Sequence, residues 1–184
     1  MVLVPVKAFG EAKRRLSPSV DAEHRAALAR VMADRVLDAA GPLPVAVVCD
    51  DPGVARWADQ RGAMVLPEPG RGLNGAVQAG VQRLARAGAA EVMVAHADLP
   101  LARGLSRLAG FDGVTLVPDR GEDGTNVMCL PAGTGFRFAY GPGSFGRHQA
   151  EAGRLGLGVR VVRDPELSWD VDEPQDIPAD LSLP

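Results

Sequence analysis

Short apolar, β-branched runs alternate with Ala-rich amphipathic stretches along the whole chain, and this alternation is the main structural signal of the sequence. The apolar runs predict seven strands, at Val2–Val6, Val45–Cys49, Met64–Leu66, Val92–Ala95, Val114–Val117, Val127–Leu130 and Val159–Val162. The amphipathic stretches predict five helices, at Asp21–Ala40, Val54–Arg61, Asn74–Ala87, Ala102–Leu108 and Ser144–Leu155. Ser19 is the expected N-cap of the first helix, and Gly41 is its expected end.

Strands that alternate with helices are typical of βαβ crossovers. We therefore expect an α/β fold, a three-layer sandwich around one mostly parallel, mixed sheet. The 184 residues, 46% of them hydrophobic and 23% charged, can bury a sizeable core, which argues against intrinsic disorder. A chain of this length without a linker between two cores favours a single domain over residues 1–184.

The sequence favours a cytoplasmic protein with no membrane association. Its apolar runs are far shorter than the roughly 18 to 20 residues of a membrane span. No basic segment precedes the apolar run Val2–Val6 and no small-residue cleavage site follows it, so we expect no signal peptide. Cys49 and Cys129 each lie inside an apolar run, and we interpret them as buried, reduced thiols without a catalytic role.

The net charge of −3 argues against a nucleic-acid partner, which would favour a basic, clustered face. The charge is unevenly distributed. No basic residue follows Arg163 but seven acids do, which leaves 20 Lys and Arg against 16 Asp and Glu in residues 1–163. This acidic C-terminal segment either repels partners or binds a cation. The first fifteen residues carry four basic side chains and one acid instead, which suits an anionic ligand.

Lysine is rare in this chain: 18 of the 20 basic residues are Arg, and the two lysines, Lys7 and Lys13, lie in the same predicted loop. A compact ammonium group can contact a triphosphate in ways that the planar guanidinium group does not reproduce. We therefore predict that Lys13, and with less support Lys7, contacts phosphate. The alternative is a solvated loop.

Polar residues collect after the predicted strands, where open parallel sheets bind their ligands. Asp98 directly follows a buried strand, and a carboxylate in that position predicts a ligand of a hard divalent cation. A second carboxylate should converge on the same ion, and either Asp170 or Asp172 can supply it. In the alternative interpretation these acids belong to a solvated tail, with Asp172 capping a helix that Pro174 begins. His96 is expected to pack rather than to bind.

Two segments, Gly70–Gly75 and Gly141–Gly146, match the glycine pattern of dinucleotide-binding proteins. Neither follows the first strand with an acid at the required distance, so a Rossmann dehydrogenase is disfavoured. The first segment is either a plain turn at a helix start or a set of backbone amides that approach a nucleotide, with Asn74 contacting base or ribose.

A candidate anion site involves Thr125 and the segment that leads into the last predicted helix. Gly141 and Gly143 precede Ser144, so free amides and a hydroxyl group would lie at the positive end of a helix dipole. An ordinary N-cap role for Ser144 is the alternative and is compatible with binding. His148 lies one turn further along this helix, and we interpret it as a surface residue without a specific role.

These features together indicate a site for a nucleoside triphosphate, a divalent metal and a second small anion, which is the requirement of nucleotidyl transfer. The motifs, in order, are Val4-Pro5-Val6-Lys7, Ala12-Lys13-x-Arg15-Leu16, Gly72-Leu73-Asn74-x-Ala76, Asp98-Leu99-Pro100, Gly124-Thr125-Asn126, Gly141-Pro142-Gly143-Ser144 and Asp170-x-Asp172-x-Pro174-x-Asp176. Their order and spacing resemble the 2-phospho-L-lactate or phosphoenolpyruvate guanylyltransferases, from residue 2 to about residue 177. That family makes a precursor of the deazaflavin redox coenzyme.

The resemblance implies a GT-A-like, Rossmann-related nucleotidyltransferase fold, GTP and Mg²⁺ as substrate and cofactor, and release of pyrophosphate. It implies metal ligation by Asp98 together with Asp170 or Asp172. The acceptor would be bound by Thr125, Gly141, Gly143 and Ser144, and guanosine by Gly72, Leu73 and Asn74. Lys13, with Lys7 or Arg15, would stabilise the departing pyrophosphate. The sequence departs from the family pattern at Glu173 and Gln175, where Thr and Glu are more common, and at Gly75, where Ala is common.

Other functions stay open at this level. The chain could be a GT-A-fold nucleotidyltransferase for a different phosphorylated acceptor, a glycosyltransferase, or a GTP sensor without catalytic activity. The sequence does not select the three-carbon acid, the second metal ligand, the number of metal ions or the oligomeric state. An unstable product would favour direct hand-over to the next enzyme of the pathway.

Overall fold

The computed structural model describes residues 1–17, 19–68, 70–179 and 181. Within these residues, the strands are β1 (Val2–Pro5), β2 (Val45–Cys49), β3 (Met64–Pro67), β4 (Glu91–Ala95), β5 (Val114–Pro118), β6 (Thr125–Pro131) and β7 (Val159–Val161). The α-helices are α1 (Ala22–Ala39), α2 (Pro52–Gln60), α3 (Gly72–Arg86) and α4 (Ser144–Arg154). Short 3-10 turns cover Phe9–Glu11, Arg14–Leu16, Leu105–Leu108 and Pro174–Asp176.

The strands form one mixed sheet in the order β3-β2-β1-β4-β6-β5-β7. Strand β6 runs antiparallel to its neighbours β4 and β5, whereas the other pairings are parallel. The chain builds outward from β1 through β2 and β3, and then returns to place β4 on the other side of β1. The order therefore reverses between β1 and β4, and the crevice beyond their carboxyl ends is where such sheets bind ligands.

Both faces of the sheet are buried, so successive residues of the central strands enter different core clusters. Val4 packs in one cluster with Val36 of α1 and Val54 of α2. Leu3 packs in the other cluster with Leu84 of α3, and Phe145 of α4 belongs to that same cluster. This arrangement confirms the predicted α/β sandwich and explains why the strands are short runs of apolar residues without polar alternation.

A third, smaller cluster joins the N-terminal loop to the C-terminal segment. Leu16 packs there with Leu28 and Met32 of α1 and with Val171 and Leu181. Leu16, Met32 and Val171 are fully buried. The basic loop that follows β1 is thereby held against the acidic segment near the end of the chain, so the two oppositely charged regions of the sequence meet in space.

One predicted helix and two predicted N-caps are wrong. The predicted helix Ala102–Leu108 is only a 3-10 turn, because Gly104 adopts a left-handed conformation with φ of +56° that interrupts a helix. Helix α1 is capped by Asp21, whose carboxylate accepts the His24 N–H at 2.9 Å, and not by Ser19. Asp172 does not cap the turn at Pro174–Asp176, since Glu173 occupies that position.

Other features of the chain agree with expectation. Cys49 and Cys129 are free and buried, and burial raises the pKa of both thiols. In the described part of the chain, no helix combines the length and the apolar composition that crossing a bilayer requires. The predicted cytoplasmic location is not tested by this finding and stays a prediction.

Candidate active site

A cavity of about 410 Å³ opens beyond the carboxyl ends of β1 and β4. The polar side chains around it come from the loop after β1, from the segment after β4 and from the C-terminal segment. Among its lining residues are Lys7, Lys13, Arg15, Leu73, His96, Asp98 and Asp172. The reversal of strand order thus brings together residues that are far apart in the sequence.

Lys13 is the centre of this site, and its side chain is only 11% exposed. Its ammonium group donates to Asp98 Oδ2 at 2.7 Å and to the carbonyl oxygen of Val171, and lies 3.8 Å from Asp172 Oδ1. The Lys13 backbone has a φ of +54°, a left-handed conformation that costs a non-glycine residue about 1 kcal/mol or more. The contacts of its side chain hold it in that conformation, so three oxygen atoms converge on one cation.

Asp98 is held as an ionised carboxylate at the wall of the cavity, with its side chain 27% exposed. Burial works to raise its pKa, whereas the Lys13 ammonium and the His96 ring lower it, and the pKa ends below the ordinary value. Its second oxygen, Oδ1, is buried and has no hydrogen-bond partner among the residues described. A buried acceptor without a donor is costly, so this oxygen is available to a further cation.

The structure distinguishes the two candidates for a second acid. Asp170 lies close enough to Asp98 that burial and the Asp98 charge raise its pKa. Asn126 contacts one Asp170 oxygen at 3.4 Å. Asp172 is 53% exposed and forms an ion pair with Arg15 at 3.0 Å. Asp170 is therefore the more buried of the two acids, whereas Asp172 is exposed and lines the cavity.

A set of contacts that the sequence analysis did not identify fixes the acidic segment in place. The Val171 N–H donates to the Asp98 carbonyl oxygen at 3.2 Å. Asp176 is buried, pairs with Arg120, and accepts the N–H groups of Asp172 and Glu173 at 3.1 and 2.7 Å. The Arg120 guanidinium also lies 4.0 Å above the Trp169 ring. Asp176 belongs to the acidic motif of the sequence, but its ion pair is a tertiary contact that spacing does not reveal.

The glycine-rich segment leads into α3, as the ligand-binding interpretation requires. Gly70 and Gly72 both have positive φ values, of +73° and +62°, and α3 begins at Gly72, two residues earlier than predicted. Leu73 lines the cavity. The Asn74 side chain, however, donates to the Tyr140 carbonyl oxygen at 3.3 Å and accepts the Tyr140 N–H at 2.7 Å. Its polar atoms thus fasten α3 to residues 139–143, hereafter the 139–143 loop.

The residues predicted to bind the acceptor lie together at the start of α4. Ser144 is the first residue of this helix, is buried, and donates its N–H to the Gly141 carbonyl oxygen at 2.9 Å. Gly143 is the N-cap, with a φ of +71°, and its N–H already donates to Asp123 Oδ2 at 2.8 Å. Thr125, the first residue of β6, is buried beside α4 and contacts it through a side-chain hydrogen bond.

This group borders the cavity indirectly, since its members are not among the described residues that line it. The His96 ring lines the cavity and packs on the Tyr140 ring, with 4.8 Å between centroids. Both rings carry a buried polar atom, His96 Nε2 and the Tyr140 hydroxyl, that has no hydrogen-bond partner among the residues described. His96 therefore packs, as expected, and links the cavity to the 139–143 loop.

His148 differs most from its sequence-based interpretation, because it is completely buried rather than at the surface. Its Nδ1 lies 3.0 Å from Thr125 Oγ1, and its Nε2 accepts the Ala139 N–H at 3.0 Å. Burial lowers the pKa of His148 to about 4. No signal in the sequence distinguishes this histidine from a surface one, since its partners lie outside α4, in β6 and in the loop that precedes the helix.

Solved structures define the class of protein to which this fold belongs. A nucleotidyl transferase from Methanothermobacter thermautotroptrophicus is similar over 96% of this chain and 94% of its own, with a TM-score of 0.65 and 14% identity. A protein from Desulfovibrio desulfuricans G20, described as a nucleotide-diphospho-sugar transferase, is similar over 94% of this chain and 81% of its own. Its TM-score is 0.75 and its identity 19%. At such identities these similarities show the fold, which is that of the nucleotidyltransferases.

Sequence comparison gives the family. Residues 1–181 match the family described as "Guanylyl transferase CofC like". The chain is 38% identical to the phosphoenolpyruvate guanylyltransferase of Rubrobacter xylanophilus, over 95% of this chain and 90% of that protein. It is 36% identical to the enzyme of the same name from Sphaerobacter thermophilus, over 96% and 90% of the two chains. The protein belongs to the guanylyl transferase CofC-like family and is a nucleotidyltransferase, which confirms the resemblance found in its motifs.

Proposed function

We propose that the protein transfers GMP from GTP to the phosphate group of phosphoenolpyruvate or 2-phospho-L-lactate, releases pyrophosphate, and so serves biosynthesis of a deazaflavin coenzyme. The observation that carries the proposal is the cluster of Lys13, Asp98 and Asp172 beyond the ends of β1 and β4. This cluster places a cationic and two anionic side chains side by side in a nucleotidyltransferase fold. The relatives of the chain are named phosphoenolpyruvate guanylyltransferases.

The reaction needs positioning and charge neutralisation more than proton transfer. An oxygen of the acceptor phosphate attacks the α-phosphorus of GTP in line with the departing pyrophosphate. This oxygen is largely ionised near neutral pH, so the protein needs no general base. Lys13, assisted by Lys7 or Arg15 at the cavity wall, offsets the negative charge of the departing pyrophosphate.

The residues present fit a bound Mg²⁺. Asp98 Oδ1 is a buried acceptor without a donor among the described residues, and Asp170 adds a second carboxylate on which the Asp98 charge acts, which is the ligand chemistry of a hard cation. Within the described residues, no group of three His, Cys, Asp or Glu side chains could hold a metal ion. Mg²⁺ commonly uses one or two carboxylates and keeps its other waters. Asp98 and Asp170 would hold it, with Asp172 at the rim, and it would neutralise and align the phosphates.

The acceptor and guanosine are assigned to different groups of residues. For the acceptor we propose the Thr125 and Ser144 hydroxyl groups and the N–H of Gly141, which among the described residues has no acceptor. Gly143 contributes by its backbone conformation, because its N–H is already bonded to Asp123. For guanosine we propose the backbone amides of Gly72 and Leu73 at the start of α3. Asn74 holds the 139–143 loop through its two hydrogen bonds with Tyr140, and it contacts the nucleotide only if those hydrogen bonds break.

The proposals on domain organisation, location and partners depend on the proposed reaction. We propose a single domain over residues 1–184 that acts in the cytoplasm on soluble small molecules, without nucleic acid or membrane. An unstable product would be passed to the next enzyme of the pathway.

Pyrophosphate release tests the proposal directly. The protein is incubated with Mg²⁺ and either GTP or ATP, alone or with phosphoenolpyruvate, 2-phospho-L-lactate or 3-phosphoglycerate. We expect release with GTP and one of these acids, and none without an acid. If the protein binds GTP but releases no pyrophosphate under any of these conditions, it acts as a sensor. If it releases pyrophosphate with ATP but not with GTP, the proposed preference for guanine is wrong.

The matched control for this assay is a pair of aspartate variants. Asp98→Asn removes the charge at the centre of the site and should lower turnover by about 100-fold or more. Asp59→Asn makes the same chemical change on the exposed surface of α2 and should leave turnover unchanged. Equal activity of the two variants would exclude Asp98 from the reaction.

A further inference from the structure

His148 connects two parts of the proposed acceptor site. Its Nε2 accepts the N–H of Ala139, at the beginning of the 139–143 loop, at a distance of 3.0 Å. Its Nδ1 lies 3.0 Å from the Oγ1 atom of Thr125. One imidazole ring on α4 thus contacts both the loop and the first residue of β6.

The contact with Ala139 determines where the imidazole proton lies. A backbone N–H can only donate, so the Nε2 atom that receives it must carry a lone pair and no hydrogen. A neutral ring then has its hydrogen on Nδ1. The opposite tautomer would place two N–H donors against each other at 3.0 Å.

The surroundings of the ring keep it neutral. His148 is 0% exposed and packs edge-on against the Tyr140 ring, with 4.8 Å between centroids. The centroid of the Phe136 ring lies 6.0 Å from that of the His148 ring. Burial among these rings and the adjacent Arg147 charge disfavour the imidazolium form.

This tautomer in turn determines the role of the Thr125 hydroxyl group. Because Nδ1 carries the hydrogen, Thr125 Oγ1 is the acceptor in their hydrogen bond. The single hydrogen of the hydroxyl group is therefore not directed at His148 and is free to donate to another group. A hydroxyl group held as a donor favours a ligand that can only accept, such as an anionic oxygen.

We infer that His148 is a positioning residue for the acceptor anion: it holds the Thr125 hydroxyl group as a hydrogen-bond donor and fixes the 139–143 loop beside it. The inference rests on the proposed function, because that proposal brings the acceptor to Thr125. His148 does not touch the reacting atoms in this role. It acts through Thr125 and through the 139–143 loop.

The tautomer can be measured without substrate. A long-range ¹H–¹⁵N spectrum of the free protein near pH 7 distinguishes Nδ1–H from Nε2–H imidazole, and the chain has only three histidines. The His148 signals are those that disappear in His148→Gln. We expect Nδ1–H; an Nε2–H form or an imidazolium form would overturn the inference, whether or not the protein transfers GMP.

Kinetics of two variants and their combination test the positioning role. His148→Phe keeps a ring but no hydrogen-bonding nitrogen, and should raise the KM for the acceptor acid about tenfold or more while the KM for GTP stays within about twofold. Thr125→Val should have a similar effect. In the Thr125→Val background, His148→Phe should add less than it does alone, because only its contact with the 139–143 loop remains to be lost.

Two further variants complete the test. His148→Gln offers both an acceptor and a donor and should recover part of the acceptor affinity, whereas His24→Gln, on the exposed surface of α1, should change nothing. Multiplicative effects of His148→Phe and Thr125→Val, or an equal rise in both KM values, would refute the positioning role. Absence of turnover in the wild-type protein with every acid would instead refute the proposed function and leave the tautomer measurement as the test of this inference.

Discussion

Asp170 carries a carboxylate whose ionised form is disfavoured in the free protein and which we propose as a metal ligand. It is partly buried near Asp98, and burial together with the Asp98 charge raises its pKa. Two neighbouring carboxylates disfavour each other's ionised form unless a cation lies between them. The residue therefore marks the place where a positive charge would be most stabilising.

We predict opposite effects of Asp170→Asn on activity and on stability. Activity should fall about tenfold or more below that of Asp172→Asn, because Asp170 is partly buried and lies within reach of the Asp98 charge, whereas Asp172 is exposed and paired with Arg15. The melting temperature in EDTA should rise, since the repulsion between two carboxylates is removed. Steady-state kinetics over a series of Mg²⁺ concentrations and thermal unfolding provide the two readings.

Asp172→Asn is the comparison in both measurements. An Asp172 variant that loses as much activity as the Asp170 variant, or more, would show that the exposed acid holds the metal. A lower melting temperature of Asp170→Asn in EDTA would show that the carboxylate stabilises the free protein through contacts other than those with Asp98.

At the scale of elements, the turn at Pro174–Asp176 positions the acidic segment. Its anchor is Asp176, which is buried, pairs with Arg120 of the β5–β6 connection, and accepts two backbone N–H groups. Burial works to raise the pKa of Asp176, whereas the Arg120 guanidinium and these N–H groups lower it, and the pKa ends below its ordinary value. The ionised form of this carboxylate thus holds the segment that carries Asp170 and Asp172.

The sign of this pKa shift predicts the pH dependence of stability. A carboxyl group whose pKa is lower in the folded protein stabilises the fold above its unfolded pKa, and this contribution is lost as the pH falls through the folded value. Asp176→Asn should therefore cost about 2 kcal/mol of unfolding free energy at pH 7. The difference from wild type should shrink as the pH falls below about 4.

Urea unfolding of both proteins at pH 7 and at about pH 3 measures this difference, with Asp59→Asn on the exposed face of α2 as the matched control. A difference that is the same at both pH values would mean that the stabilisation comes from packing of the Asp176 side chain rather than from its charge.

At the scale of the whole molecule, the two thiols report on the integrity of the sheet. Cys49 and Cys129 are 5% and 2% exposed, on β2 and β6, which lie on opposite sides of β1 and β4 in the sheet order. Burial raises the pKa of both groups, so little of either thiol is thiolate at pH 8.

We predict that neither thiol reacts with a disulfide reagent in the folded protein, and that both react in a denaturant. Labelling at pH 8 should follow global unfolding, with rates reduced by a factor of about 10³ or more relative to the unfolded chain. Rapid labelling of one thiol in native buffer would show that the strand carrying it opens separately from the rest of the sheet.

The strands of the sheet could be found from the sequence. The central strands are short, mostly apolar runs that a sheet buried on both faces accepts, so local pattern was sufficient to find the strands that the structure describes. Local pattern also singled out Asp98, which follows β4, and the glycine segment at the start of α3, whereas Lys13 was singled out by the rarity of lysine in the chain. It failed at Ala102–Leu108, where apolar spacing concealed the left-handed backbone of Gly104.

How these residues combine follows from their tertiary contacts. The proposed preference for Asp170 over Asp172 depends on burial, on the Asp98 charge and on the ion pair between Arg15 and Asp172, and the place of His148 depends on partners in β6 and the 139–143 loop. These contacts join positions that lie between nine and 157 residues apart along the chain. The physical reason is that hydrogen bonds and charge pairs act over a few ångströms in space, whereas periodicity and spacing report only on neighbours along the chain.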